Sequence, residues 1–438
     1  MEFLENRLYF TSLDEPPPAA SKSSKKVYYS TDDLLIYNNF YHDFGPLNIA
    51  HMYRFAVGLH DILADEKNTG KAVVVYTKSD ARSRANAGCM LAVYMVLIQS
   101  WPPHLALAPL AEADPPVMPF RDAGYSQADY CLSIQDVVYG CWKAKDKGLI
   151  NLTDFNCEEY ETYERVENGD FNWVSPHFIA FASPSLDSKG TKKEIDSMAY
   201  HRNEKAFMSV LDYFEDHDIG LVVRLNKPLY DRKRFEERKM KHMEMFFEDG
   251  TCPELADVRK FIAHAKEQID RRKVVAVHCK AGLGRTGCLI GAYLIHTYAF
   301  TANEVIGFMR FLRPGMVVGP QQHWLHIYQH TFREWYFTTS KPILTPTRSP
   351  LASLQMNDLP CPTPGQPRKV SAKRRLFEDA TETTETIIQT TTSPTTRRVV
   401  SYSATTTSSP PRRGSPRRVS DKTAINGARS PSGKIRRI

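Results

Sequence analysis

The sequence HCKAGLGRTG occupies residues 278–287 and separates two apolar segments of different character. The segment Val274–Val277 before it is short and rich in β-branched residues, as in a buried strand, whereas residues 288–298 are mostly apolar over a helical length. The predicted order is therefore strand, glycine-rich loop, helix. Such a loop directs successive backbone N–H groups and the positive end of a helix dipole at one point, which makes a binding site for phosphate.

The side chains of this loop suit phosphoryl transfer. Cys279 lies in the positive field, which favours the thiolate and makes it the candidate nucleophile. Arg285 can hold two phosphoryl oxygens with its planar guanidinium, and Thr286 can donate its hydroxyl to the departing sulfur. Glycines leave no Cβ where the phosphate approaches. The predicted phosphate-binding residues are Lys280, Ala281, Gly282, Leu283, Gly284 and Arg285.

A phosphatase that displaces an alkoxide also needs a proton donor and a positioned water. Asp249, in the Asp-Gly step before Gly250, is the candidate acid, and Glu248 is its nearby competitor. The alternative for Asp249 is a plain turn aspartate. Gln321 and Gln322 precede a predicted helix and can either orient the attacking water or cap that helix.

Composition limits the class of protein. The chain has 438 residues, 42% of them hydrophobic, which is enough for two or three domains. Its apolar runs fall well short of the roughly 20 residues of a membrane span, and its acidic start lacks the basic-then-apolar pattern of a signal peptide. Eight scattered cysteines without a CxxC pair suit a reducing compartment. We expect a soluble intracellular protein without a metal, a cofactor or a disulfide.

An internal similarity suggests two related domains. Residues 75–78 read VYTK where residues 277–280 read VHCK, and each set follows an apolar strand and precedes an apolar helix. Thr77 then stands where Cys279 stands. This pattern favours two similar α/β domains in tandem, of which the first lacks the nucleophile.

An acidic segment lies between these predicted domains. Residues 157–170 contain six acidic residues and one arginine, with Glu161 and Glu164 three positions apart on one helical face. The charge pattern fits a solvated acidic helix or a groove wall that selects basic residues in a ligand.

The composition changes after residue 340. Residues 341–438 carry 18 Lys and Arg against 6 Asp and Glu, whereas the preceding part carries 39 against 44. This Ser-, Thr-, Pro- and Arg-rich tail lacks apolar periodicity and is predicted to be disordered. Several of its Ser-Pro steps are followed by Arg, as in proline-directed kinase sites. The segment KRRLF at 373–377 fits cyclin docking, nuclear targeting or solubilising charge equally.

The central loop, together with residues 40–48, 164–173 and 246–250, resembles the cell-division-cycle fourteen family of dual-specificity protein phosphatases, a branch of the cysteine-dependent protein tyrosine phosphatases. The resemblance covers roughly residues 27–337. Two departures are a longer segment between Asp249 and Cys279 and a short, arginine-rich tail.

The resemblance implies an α/β protein with two tandem dual-specificity-phosphatase-like domains, each a mixed sheet flanked by helices, joined by a linker helix. It assigns the nucleophile to Cys279, phosphate binding to Arg285 and the general acid to Asp249. Glu161, Glu164 and Asp170 match acidic groove residues that accept a basic residue after a phosphoserine-proline step. The expected divisions are a flexible N-terminus (1–26), an inactive phosphatase-like domain (27–156), an acidic linker helix (157–172), a catalytic domain (173–340) and a disordered basic tail (341–438).

The resemblance also implies substrates and a cellular setting. We expect phosphorylated substrates of cyclin-dependent kinases, action in mitotic exit and cytokinesis, and residence in the nucleus or nucleolus and the cytoplasm, with spindle or centrosome association. Docking of a cyclin or kinase to the tail is one option, and no direct nucleic-acid binding is expected. An inositol-lipid phosphatase and a non-catalytic phosphoprotein adaptor are the rivals. The acidic linker and Leu283 in the loop disfavour a polyanionic lipid head group.

Overall fold

The computed structural model describes residues 1–18, 24–125, 127–185 and 197–340 of the 438. The strands in these ranges are β1 Glu2–Leu4, β2 Leu8–Leu13, β3 Lys26–Tyr29, β4 Ala72–Lys78, β5 Phe171–Ser175, β6 Phe178–Phe181, β7 Ile219–Arg224, β8 Lys241–Glu244 and β9 Val274–His278. The α-helices are α1 Ile49–Ala64, α2 Ala81–Leu97, α3 Pro103–Ala111, α4 Ile134–Asp146, α5 Cys157–Tyr163, α6 Ser197–Asp216, α7 Lys233–Glu236, α8 Leu255–Asp270, α9 Gly284–Tyr298, α10 Ala302–Leu312 and α11 Pro320–Ser340. Within the described ranges, no helix is long and apolar enough to cross a membrane.

The first half of the chain forms a sheet of four strands in the order β1-β2-β4-β3. Strand β2 pairs in parallel with β4, and its residues Leu8 and Phe10 alternate into the core with exposures of 0% and 2%. The prediction of a flexible segment over residues 1–26 is therefore wrong for residues 2–13, where short-range alternation of apolar residues builds two strands. Residues 19–23 lie outside the described ranges.

The second half forms a sheet of five strands in the order β5-β6-β9-β7-β8. Strand β5 is antiparallel to β6, whereas β6, β9, β7 and β8 run parallel to one another. Strand β9 lies at the centre, and its residues 275–278 are buried, which explains its uninterrupted β-branched sequence. The loop after β9 therefore emerges at the carboxyl edge of the sheet, where ligands of α/β proteins bind. The predicted α/β class with mixed sheets flanked by helices is confirmed.

The linker between the halves is shorter than predicted. Helix α5 ends at Tyr163, a short 3-10 turn follows at Val166–Asn168, and Phe171 already belongs to β5. The expectation of one helix over 157–172 is therefore corrected. Gly169 has a φ of 121°, a conformation that strongly favours glycine and reverses the chain into the sheet.

The two halves pack through one continuous apolar core. Helices α4 and α10 cross so closely that a Cβ at Gly140 would overlap the carbonyl oxygen of Glu304, and a Cβ at Gly307 would lie 2.9 Å from Val137 Cα. At this crossing Lys143 of α4 pairs with Glu304 at 3.0 Å. The first half thus serves as a rigid support for the second.

Replacing Gly140 by alanine should lower the free energy of unfolding by about 1–3 kcal/mol, because the new methyl group meets backbone that cannot move aside without separating the helices. Thermal or urea unfolding of the full chain measures this loss. Gln135→Ala, at an exposed position of α4, is the control and should change stability by less than about 0.5 kcal/mol. An unchanged midpoint for Gly140→Ala would contradict the close crossing.

Candidate active site

The predicted phosphate loop joins the end of β9 to the start of α9, which begins at Gly284. The helix starts earlier than the apolar run suggested, because Arg285 and Thr286 read as loop residues in the sequence but occupy its first turn. Gly282 has a φ of 68°, and a Cβ there would overlap the carbonyl oxygen of Phe181. Glycine is therefore required at this position by both conformation and space.

Each carbonyl of the loop is held by a donor outside the loop or in the following helix. Arg313 donates from Nη2 to Ala281 O at 3.0 Å and from Nε to Gly282 O at 3.2 Å. The other carbonyls, with their donors, are Cys279 O with His278 Nδ1 at 3.0 Å, Lys280 O with Ser183 N at 2.9 Å, and Leu283 O with Gly287 N at 3.0 Å. Since peptide C=O and N–H point in opposite directions, these contacts turn the amides of the loop inward. Inward-facing amides are the geometry that the predicted anion site requires.

Arg313 is the site residue that sequence reasoning missed. It is 3% exposed, and besides the two loop carbonyls it donates to Asn172 Oδ1 at 2.6 Å and to Asp170 Oδ1 at 2.8 Å. Its neighbours in sequence, Pro314 and Gly315, are typical of the residues that follow a helix, so the sequence pattern indicates only a helix end at Arg313. The guanidinium of Arg313 thus contacts both Asp170 and the loop.

Cys279, Arg285 and Thr286 are all buried, with exposures of 3%, 3% and 0%. The Nη1 group of Arg285 donates to Phe247 O at 3.0 Å and to Leu225 O at 3.3 Å, which fixes the guanidinium. Among the described residues, Arg285 Nε and Thr286 Oγ1 are buried without a hydrogen-bond partner. Buried donors of this kind are costly unless a ligand completes them, and the Nε and Nη2 edge of arginine matches two phosphoryl oxygens.

The structure brings Asp249 to this arginine. Asp249 Oδ1 lies 3.1 Å from Arg285 Nη2, and the carboxylate remains 71% exposed. Glu248 instead points to Lys227 at 3.9 Å and is 69% exposed. Of the two predicted candidates, Asp249 alone pairs with Arg285 in the described ranges.

The two glutamines differ in their surroundings. Gln321 packs against the loop, since a Cβ at Gly284 would lie 2.5 Å from its Oε1, and its amide donates to Thr251 O on the Asp249 loop at 3.0 Å. Gln322 is fully buried and accepts from Arg310 Nη2 at 2.6 Å. The water-positioning prediction for Gln322 is therefore wrong, because its side chain is used inside the core.

A cavity of about 470 Å³ opens beside the loop. Its lining includes Ala281 and Leu283 from the loop and Phe40 from the first half of the chain. Of the three predicted acidic residues, Glu164 and Asp170 line the cavity and Glu161 does not. The carboxylate of Glu161 instead accepts hydrogen bonds from Arg54 Nε at 2.7 Å and from Arg54 Nη2 at 2.6 Å.

The carboxylates also differ in charge compensation. Asp170 is paired with Arg313 and Glu161 with Arg54, whereas Glu164 makes no ion pair within the described ranges. Burial raises the pKa of Glu164 above its ordinary value of 4.5, although Arg313 opposes the shift. Of the two carboxylates that line the cavity, Glu164 is therefore the one without an ion-pair partner among the described residues.

The equivalent place in the first half is built differently. Near the end of β4, Thr77 is fully buried and donates to Asp32 Oδ1 at 2.8 Å. Asp80 caps helix α2 and accepts from the amides of Arg82 and Ser83. The Asp80 carboxylate thus occupies the N-terminus of α2. At the N-terminus of α9, by contrast, the N-cap residue makes no side-chain hydrogen bond, and an anion could bind there.

A model described as dual specificity protein phosphatase, N-terminal half, matches residues 2–144, and one described as dual specificity phosphatase, catalytic domain, matches residues 200–331.

Relatives resemble the chain over most of its length. The tyrosine-protein phosphatase CDC14 homolog of Schizosaccharomyces pombe is 53% identical over 394 residues, covering 85% of this chain and 72% of the relative. The tyrosine-protein phosphatase cdcA of Emericella nidulans is 54% identical over 389 residues, covering 77% and 65%. The human dual specificity protein phosphatase CDC14A is 41% identical over 326 residues, covering 74% and 52%.

The chain therefore spans about two thirds of the length of the Emericella relative and about half that of the human one. The fungal identities lie far above what a shared fold requires, and the two family models match in the same order as the two sheets. With these matches on the loop and both halves, the chain belongs to the Cdc14 family of dual-specificity protein phosphatases.

Proposed function

We propose that this chain is a dual-specificity protein phosphatase that hydrolyses phosphoserine, and less readily phosphothreonine, before proline in segments with a nearby Lys or Arg. The observation that carries the proposal is the loop of inward amides around Cys279 and Arg285. Family membership supports it. A phosphate bound in this loop would contact the sulfur of Cys279, the guanidinium of Arg285 and the carboxyl group of Asp249.

The proposed reaction has two steps. The Cys279 thiolate attacks phosphorus in line with the leaving oxygen, and Asp249 gives that oxygen its proton, which leaves a cysteinyl phosphate. Water then attacks phosphorus, Asp249 takes its proton, and the thiolate leaves with a hydrogen bond from Thr286. Arg285 and the loop amides bind the equatorial oxygens throughout. Gln321, which lies against Gly284, orients the water.

The carboxylate of Asp249 must be protonated before the first step. A phosphate dianion beside Arg285 would replace the carboxylate as the partner of the guanidinium. Binding of the substrate thus releases Asp249 from Arg285 for its role as the acid.

Replacing Asp249 by asparagine should slow hydrolysis of a phosphoserine peptide by about 100-fold, because the serine alkoxide leaves poorly without a proton. The rate with p-nitrophenyl phosphate, whose leaving group needs no proton, should change far less. Steady-state kinetics with both substrates measures the difference. Glu248→Gln is the matched control and should leave both rates within about twofold; the reverse pattern would transfer the acid role to Glu248.

We propose that the cavity beside the loop selects the residue after the phosphoserine-proline step. Glu164 lines it without an ion-pair partner in the part of the chain that the structure describes, and Asp170 lines it while bound to Arg313. Leu283 and Phe40 supply apolar surface. A Lys or Arg of the substrate would meet the uncompensated carboxylate of Glu164. An anionic lipid head group would meet the same charge unfavourably.

Replacing Glu164 by glutamine should reduce the preference for a phosphoserine-proline-x-lysine peptide over its alanine analogue by about tenfold. Glu161→Gln is the matched control and should have a smaller effect, since Arg54 already neutralises Glu161. In the parent protein the preference should be lost as the pH falls through the pKa of Glu164, which is raised above 4.5. Ratios of kcat/KM over a pH series measure both effects. Equal losses from the two variants, or faster release from a phosphoinositide than from the peptide, would contradict the proposed groove.

The cellular role is proposed on the same basis. The preferred sites are those of cyclin-dependent kinases, so we propose a role in mitotic exit and cytokinesis, with residence in the nucleus, the nucleolus and the cytoplasm and at the spindle or centrosome. The Ser-Pro steps and the segment at 373–377, which lie outside the described ranges, are proposed sites of phosphorylation and cyclin docking. Phosphoproteomics after acute loss of the protein tests this role, because Ser-Pro-x-Lys sites should gain phosphate.

A further inference from the structure

A buried chain of polar groups lies behind the nucleophile. The Tyr230 hydroxyl is 2.7 Å from His278 Nε2 and 2.9 Å from His242 Nε2, and His278 Nδ1 is 3.0 Å from Cys279 O. Tyr230 follows β7, His242 lies on β8 and His278 ends β9, so the chain joins three parts of the second sheet. His278 is fully buried and Tyr230 is 5% exposed.

The direction of these hydrogen bonds follows from the acceptor at their end. A carbonyl oxygen only accepts, so His278 Nδ1 carries a proton. Burial lowers the pKa of His278 to about 3 and that of His242 to about 4, so both rings are neutral at pH 7. His278 Nε2 is then an acceptor, and the Tyr230 hydroxyl must donate to it.

The direction of the hydrogen bond between Tyr230 and His242 follows from this assignment. Because the Tyr230 hydroxyl has used its proton, it accepts from His242 Nε2, which leaves His242 Nδ1 without a proton. That atom is buried without a hydrogen-bond partner among the described residues, so no acceptor there calls for a proton on it. The charged groups that face the chain are Arg224, Glu244 and Arg232 near His242, and Arg224 and Arg285 near His278.

We propose that Tyr230 is a positioning residue for catalysis, whose hydroxyl fixes the tautomer of His278 and thereby holds the Cys279 carbonyl away from the phosphate. The Cys279 carbonyl and the Lys280 amide belong to one planar peptide unit. Holding the carbonyl toward His278 therefore directs the Lys280 N–H into the anion site. Without the hydroxyl, His278 can move its proton to Nε2, and its Nδ1 lone pair then repels the Cys279 carbonyl.

The ring of Tyr230 is held independently of its hydroxyl. Arg224 lies over the ring at 4.7 Å and donates to Tyr230 O at 2.9 Å, and Phe207 and Phe235 pack against it with centroids 5.4 Å away. Tyr230→Phe should therefore fold normally. This inference rests on the proposed function but makes a separate prediction about anion binding.

The experiment compares Tyr230→Phe with the full-length parent protein in tungstate binding, in kcat/KM for p-nitrophenyl phosphate and in the ¹⁵N chemical shifts of His278. We expect tungstate affinity and kcat/KM to fall about tenfold and the Nδ1–H form of His278 to lose its dominance. His242→Leu should cost about twofold or less, because Tyr230 can still donate to His278. Tyr293→Phe, a buried tyrosine on α9, controls for loss of a buried hydroxyl and should bind tungstate as the parent does.

Three results would overturn the positioning role of Tyr230: unchanged tungstate affinity in Tyr230→Phe, an equal loss in His242→Leu, or an Nε2–H tautomer of His278 in the parent protein. If the parent protein binds tungstate and shows the predicted tautomer but releases no phosphate from any phosphopeptide, the positioning role stands and the proposed function fails. The two inferences are thus tested separately.

Discussion

Replacing Cys279 by serine is expected to lower kcat for every phosphate ester by at least about 10⁴-fold, because a neutral hydroxyl in place of the thiolate is a far weaker nucleophile. Phosphopeptide binding should persist, since the loop amides and Arg285 remain. Single-turnover kinetics and peptide titration measure the two effects on one sample.

Cys131→Ser is the control for this change. Cys131 is exposed and should be replaceable without effect on the rate. A Cys279→Ser variant that retains activity would place the nucleophile elsewhere. A parent protein that binds the phosphopeptide but releases no phosphate would instead be an adaptor.

Replacing Arg285 by lysine is expected to lower kcat/KM by about 10³-fold although the positive charge is kept. Lysine cannot present the Nε and Nη2 pair to two oxygens, and it also gives up the contacts with Leu225 O and Phe247 O that orient the arginine. The loss should appear in kcat and in tungstate affinity together, because both depend on the equatorial oxygens.

Arg271→Lys is the matched control, because Arg271 is exposed at the end of α8 and pairs only with Glu267 in the described ranges. It should leave kcat/KM within about twofold. An equally small effect of Arg285→Lys would mean that Arg285 contributes charge alone, and the bidentate role would have to be abandoned.

The part of the site that the sequence predicts is the part built from adjacent residues. The strand Val274–His278, the loop and the helix follow one another, so periodicity and glycine placement suffice to find them. The Asp-Gly step and the family resemblance both point to Asp249, which the structure brings to Arg285 although 36 positions separate them.

The rest depends on contacts between distant segments. Arg313 reaches Gly282 across 31 positions and Asp170 across 143, and neither distance has a sequence pattern. Glu161 looked like Glu164 in sequence, yet Arg54, 107 positions away, neutralises only Glu161. Side-chain pairing between the two halves therefore decides which acidic residues remain available.

The N-terminal strands show a different limit. Residues 8–11 alternate apolar and polar residues, but four residues are too few to distinguish a strand from chance. Their pairing with β4 is what stabilises them, and that pairing lies some 65 positions away along the chain.

In the proposed reaction, the phosphoryl group of the substrate is transferred to the sulfur of Cys279 before water releases it. Acid quenching of the full-length protein during turnover of p-nitrophenyl phosphate, followed by proteolysis and mass spectrometry, tests it most directly. We expect one phosphoryl group on the peptide that contains Cys279, and none in Cys279→Ser. Rapid turnover with a phosphoryl group on another residue, or with none on the protein at any time, would contradict it.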